Sequence, residues 1–128
     1  ENVSTTQVAE TLNGAQGVLE SNVYGVAVDK TEGKAGMVAL TTSEEFDLES
    51  FASFVNSELA AYQRPVFIRL IQGGMRVTGT FKHQKTDYRK EGFNPSLVSD
   101  PLFYLQAGSY QPVDVKTYDA INQGEESI

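Results

Sequence analysis

Two stretches, NVYGVAVD (residues 22–29) and AGMVALTT (residues 35–42), leave few folds open to this chain. Both are rich in β-formers, and neither shows the alternation of apolar and polar residues that marks a strand with one wet face. In the first, Val23, Gly25 and Ala27 point one way while Tyr24, Val26 and Val28 point the other. With apolar side chains on both faces, such a strand must be covered on both sides. The polar KTEGK between the two runs predicts an antiparallel hairpin with a loop of several residues. At 128 residues the chain fits one domain. A domain of that size buries roughly two-thirds of its unfolded surface, enough for a core of its own.

The cover comes first from FDLESFASFVNSELAAYQRP. Leu48, Phe51, Ala52, Val55, Leu59 and Tyr62 recur at helical spacing, which marks a core-facing stripe. Asp47 is placed to cap this helix and Pro65 to stop it. A shorter helix is expected over STTQVAETLNG. Ser4 and Gln7 have the spacing of a capping box, and Asn13-Gly14 offers a left-handed stop. VFIRLI reads as a strand, QGGM as a turn, and HQKTDYRKEG as a short basic helix ending at Gly92. From Phe93 onward the punctuation predicts mostly loop, anchored by the apolar LFYL, with a frayed NQGEESI end. The order ββαβ with flanking helices indicates an α+β domain built on a small mixed sheet.

Several function classes drop out. No apolar run approaches the roughly 18 residues of a membrane-spanning helix. The start, Glu1-Asn2-Val3-Ser4, shows no signal peptide and suggests a piece of a longer protein. With no cysteine, the chain has neither a disulfide framework nor thiolate metal ligands. His83 alone does not make a zinc site, so no metal is expected. A net charge of −7 argues against nucleic acid, whose phosphates need a positive surface. Yet seven of the ten Lys/Arg residues cluster as Arg64, Arg69, Arg76, Lys82, Lys85, Arg89 and Lys90. That cluster reads either as a solvated face or as a local site for a small anion. GKAG and QGGM lack the spacing of a phosphate-cradling loop. With 17 acidic residues, chance carboxylate pairs carry no information about hydrolysis.

ENVSTT, VYGVAV, EGKAGM, FDLESF, AYQRPVFIRL, TGTFKHQK and EGFNPSLVSDPLFYL occur in that order. Together they resemble the C-terminal domain of fatty acid transport protein-type (very-long-chain) acyl-CoA synthetases, within the adenylate-forming superfamily. The resemblance covers nearly the whole chain. It implies a mobile domain core over 1–92, with a branch-specific tail over 93–128 packed on it. It also implies a two-step enzyme. A fatty acid carboxylate attacks ATP to give acyl-AMP and pyrophosphate, and the CoA sulfur then displaces AMP. A large N-terminal adenylation domain would be the partner, holding ATP, the acyl chain and Mg2+. The small domain rotates between the half-reactions, and by itself is expected to be inactive. The resemblance places the full-length protein in the cytoplasm or at the cytoplasmic face of a membrane, not secreted.

Lys82 falls where this family carries its adenylation lysine. A carboxylate closing on an α-phosphate brings negative charges together, and a positive donor stabilises that transition state. Phe81 stands where the wider superfamily usually has glycine, a departure that the fatty acid transport branch shares. Thr78, Gly79 and Thr80 match the approach to the lysine, near the adenylate phosphates. Glu1, Asn2 and Val3 align with the segment whose backbone lines the pantetheine tunnel. Gln7 replaces the family's usual glutamate, and a helix cap explains it adequately. The simpler reading of Lys82 is a surface lysine at a turn. The alternative for the whole chain is a stand-alone module binding CoA or anionic lipid without catalysis. A pure interaction domain is a third.

Overall fold

The computed structural model describes residues 5–28, 34–71 and 88–123. Five strands form a single sheet in the order β1-β2-β3-β4-β5. They are β1 (Val18–Ala27), β2 (Lys34–Thr42), β3 (Phe67–Leu70), β4 (Leu102–Gln106) and β5 (Ser109–Pro112). β1 and β2 are the expected antiparallel hairpin, β2 and β3 run parallel, and the remaining neighbours are antiparallel. The parallel pair needs a crossover, which α2 (Leu48–Glu58) supplies. The architecture is the expected α+β domain with a mixed sheet and flanking helices.

Both faces of the sheet are covered, as the doubly apolar strands require. On one face α1 (Thr5–Leu12) and α2 lay Val8, Leu12, Phe51, Ala52 and Val55 against Val23, Val38, Leu40 and Ile68. An isolated helix as short as α1 is marginal in water. Its two fully buried side chains, Val8 and Leu12, each contribute about 1.5–3 kcal/mol and hold it in place. The second core holds Tyr24, Val26, Met37, Ala39 and Phe67 under residues 88–98 and α3 (Val115–Asn122). Phe93 stacks on Phe67 with ring centroids 4.1 Å apart and meets Tyr118 of α3 at 4.8 Å.

Asp47 caps α2 as expected, its carboxylate accepting from Ser50 N at 2.9 Å. That helix ends at Glu58, well before Pro65, because Leu59 is already extended with φ −118°. A 3-10 turn over Ala61–Gln63 follows. Tyr62 is therefore rotated out of the apolar stripe and stands 56% exposed, which corrects its expected place in the core. The left-handed residue after α1 is Gly17 (φ 81°) rather than Gly14. A side chain at Gly17 would lie 2.3 Å from Phe46 N, so only glycine fits. Gly92 (φ 55°) ends the helical residues 88–91, the expected stop.

The loop expected beyond Phe93 is corrected too. LFYL anchors this region by forming most of β4, and residues 102–122 add two strands and a helix. Tyr110 of β5 donates its hydroxyl proton to Pro65 O at 2.6 Å, tying the hairpin to the entry of β3. Asp114 caps α3, accepting from Thr117 N at 2.7 Å. The Ser4 half of the predicted capping box, the QGGM turn and residues 124–128 lie outside the described residues.

Candidate functional site

A polar cluster interrupts the second core where β3 ends. Asn22, Ala39, Arg69 and Leu102 align across four strands, so Arg69 enters a mainly apolar face with a small alanine beside it and the polar Asn22 one strand further on. Arg69 Nε donates to Asp100 Oδ2 at 2.8 Å and Nη1 donates to Glu91 Oε1 at 2.6 Å. The guanidinium also lies 4.8 Å from the ring centroid of Tyr88. Its planar fork meets the two carboxylates in different directions, which a lysine ammonium on a single stem does not reproduce. The side chains of Arg69, Asp100 and Glu91 are 11%, 14% and 36% exposed. Removing one partner of a buried pair costs about 3–5 kcal/mol, and the open Glu91 end falls below that range.

Burial works against the charge of Arg69, but the hydrogen bonds and fields of Glu91 and Asp100 outweigh it and raise its pKa. It stays a fixed cation at any relevant pH. Tyr24 packs 5.9 Å from Tyr88, ring to ring. Burial drives its phenol well above the ordinary range, with Arg69 opposing, so the hydroxyl stays protonated. That hydroxyl and the Asn22 amide nitrogen are buried with no hydrogen-bond partner among the described residues.

Among the described residues, the cations of the basic segment are of two kinds. Arg64 is spent on carbonyls, with Nε donating to Leu59 O at 3.0 Å and Nη2 to Asn56 O at 2.8 Å. Arg69 is committed to its two carboxylates. Arg89 and Lys90 are exposed. They line a hollow of about 170 Å³ with Phe93, Leu97 and Tyr118. Ligand pockets usually need ~300–1,000 Å³. A larger hollow of about 600 Å³ lies between α2 and the β4–β5 hairpin, but Asp47 and Glu49 line it. The roomy hollow therefore carries acidic side chains, and the basic one is smaller than a CoA-sized ligand needs.

Lys82, Thr78, Gly79, Thr80, Glu1, Asn2 and Val3 lie outside the described residues, as do Phe81, His83 and Lys85. The structure does describe what flanks the lysine-bearing stretch. Before it, Leu70 N donates to Pro101 O at 3.0 Å and Ile71 N to Leu40 O at 2.9 Å. After it comes Tyr88, whose carbonyl accepts from Gly92 N at 2.8 Å. The Arg69 cluster joins these two flanks, and sequence reading missed it. Its only signal was an arginine within the apolar VFIRLI, which calls for buried partners.

Comparison with known proteins agrees with this architecture. The fold is shared with a coronafacic acid ligase from Pectobacterium brasiliense (TM-score 0.62, 21% identity, 80% of this chain and 20% of that one). It is shared also with a fatty acyl CoA synthetase from Mycobacterium tuberculosis (TM-score 0.57, 20% identity, 70% of this chain and 18% of that one). The domain thus has the fold found in acyl-CoA synthetases of the adenylate-forming superfamily. In sequence, all of the chain matches long-chain fatty acid transport protein 1 of Mus musculus at 43% identity, over 20% of that protein's length. This chain is a homologue of the long-chain fatty acid transport proteins, corresponding to a C-terminal part of them. It spans about a fifth of their length. No family model matches it. Among the described residues, no helix is long and apolar enough to cross a membrane.

Proposed function

We propose that this chain is the mobile C-terminal domain of a long- or very-long-chain fatty acyl-CoA synthetase, and that Lys82 serves its adenylation step. In that step a carboxylate oxygen bonds to the α-phosphorus of ATP and pyrophosphate leaves. Lys82 offsets the converging negative charge, with Thr78, Gly79 and Thr80 placing it against the phosphates. In the second step the CoA sulfur attacks the acyl carbonyl and AMP leaves, with Glu1, Asn2 and Val3 lining the pantetheine path. ATP, fatty acid and Mg2+ belong to the large N-terminal domain in this reading, and the small domain rotates between the two steps. Within it, residues 1–92 form the mobile core and 93–128 the branch-specific part. The full-length protein works in the cytoplasm or at the cytoplasmic face of a membrane.

One observation carries the reading: 43% identity to a long-chain fatty acid transport protein across the whole chain, on a fold that acyl-CoA synthetases share. The test is Lys82→Ala in the full-length protein. Carboxylate-dependent ATP–pyrophosphate exchange should fall roughly 100- to 1000-fold, the usual cost of one oxyanion-stabilising donor. Thioester formation from supplied acyl-AMP and CoA should continue. Wild-type rates in both half-reactions would remove Lys82 from the mechanism. The chain alone should show no ATP-dependent acyl-CoA formation, and turnover by it would sink the two-domain account.

A further inference from the structure

We propose that Arg69 is a positioning residue for adenylation, acting through Glu91, Asp100 and Tyr88 to fix the two chain ends between which Lys82 is carried. The inference rests on the reading of Lys82 given above.

Stability alone does not account for this arginine. Its strand neighbours Phe67 and Ile68 are fully buried, and a buried ion cluster is often no more stable than apolar residues of similar volume. What the cluster adds is geometry. Arg69 lies two residues before Ile71, where the incoming end is pinned to β2 by the bond from Ile71 N to Leu40 O. Tyr88 and Glu91 begin the outgoing end, and the guanidinium touches both, lying 4.8 Å from the Tyr88 centroid and 2.6 Å from Glu91 Oε1. Asp100, 2.8 Å from Nε, orients the fork from the entry to β4. Among the described residues, the guanidinium's contacts with Tyr88 and Glu91 thus set one end of the lysine-bearing stretch against the other, while Asp100 holds its orientation. A transition state is sensitive to such placement, since a misfit of about 1 Å costs on the order of a hundredfold in rate.

The test compares Arg69→Lys and Glu91→Gln with wild type in the full-length protein. Two rates are read: carboxylate-dependent ATP–pyrophosphate exchange, and thioester formation from supplied acyl-AMP plus CoA. Arg69→Lys keeps the charge and loses the fork. Its exchange kcat should fall about tenfold to a hundredfold, with the KM for ATP and the thioester rate unchanged. In the Lys82→Ala background it should cause no further loss, because the two residues act as a unit. If Arg69→Lys does not fold, Glu91→Gln decides, as Glu91 is the most exposed partner at 36%. Equal losses in both half-reactions, or undiminished exchange, overturn the proposal and leave Arg69 a structural ion pair. If Lys82→Ala abolishes exchange while the clamp variants retain it, this inference falls alone. If Lys82→Ala retains exchange, the proposed function falls and takes this inference with it.

Discussion

Replacing Tyr110 with phenylalanine isolates one hydrogen bond that ties β5 to the start of β3. The side chain is 6% exposed, and its hydroxyl donates to Pro65 O at 2.6 Å. Phenylalanine keeps the ring and its contact with Phe51, at 6.0 Å between centroids, so no cavity opens. The variant leaves a buried carbonyl without this donor, which costs about 1–3 kcal/mol. A mid-range loss of about 2 kcal/mol lowers Tm by about 8 °C in a domain of this size. Urea denaturation of the chain should show a lower midpoint with an unchanged slope. The pH dependence sharpens the test. Burial raises the Tyr110 pKa, opposed by the charge of Arg64. Its contribution is complete below the unfolded-state value near 10 and is lost as pH climbs toward the higher folded-state value. Phenylalanine does not titrate, and Tyr24 titrates alike in both proteins. The stability gap between wild type and variant should therefore narrow above pH ~10, by about 1.4 kcal/mol per unit. An unchanged midpoint at neutral pH, or a gap that widens in alkali, refutes the reasoning.

The β4–β5 turn is Ala107-Gly108, and Ala107 sits at φ 52° in the left-handed region. Ala107→Asn supplies a residue that tolerates this conformation and should stabilise the chain by about 1 kcal/mol; a urea midpoint that stays level or falls excludes that account. At α3, the backbone N–H of Thr117 holds the Asp114 carboxyl below its ordinary pKa. Its stabilisation is complete above the ordinary carboxylate range and is lost as pH falls through the lowered folded-state value. Asparagine caps without titrating, so Asp114→Asn should be less stable than wild type at pH 7, with the difference closing in acid; a difference constant across pH contradicts the assignment.

The parts of the fold that were legible in the residues are those with strong patterning. β1 and β2 are long β-rich runs with apolar residues on both faces, α2 has an unambiguous helical period, and Asp47 marks where α2 begins. β4 was visible only as the apolar LFYL, too short for its period to separate strand from anchored loop. β5 was hidden because its turn places an alanine where a left-handed turn usually shows asparagine or aspartate. Tyr62 kept the helical spacing, yet the backbone leaves the helix at Leu59, a local break that no turn residue announces. Lys82 came from resemblance, since a lysine after a threonine-rich stretch has no distinctive local chemistry. The Arg69 cluster depends on pairing across the sheet, with Asp100 on the far side of the lysine-bearing stretch. Local pattern does not encode partners that distant.

β4 also has a protective role. It pairs with β3 through Phe67↔Tyr104, Ile68↔Phe103 and Arg69↔Leu102, and so occupies the side of β3 that β2 leaves open. Shortening the chain to residue 92 would strip that side bare. Phe67 and Ile68 would then sit on a strand with unpaired amides and carbonyls, a template for pairing with other chains. An expression boundary drawn there would yield a self-associating product.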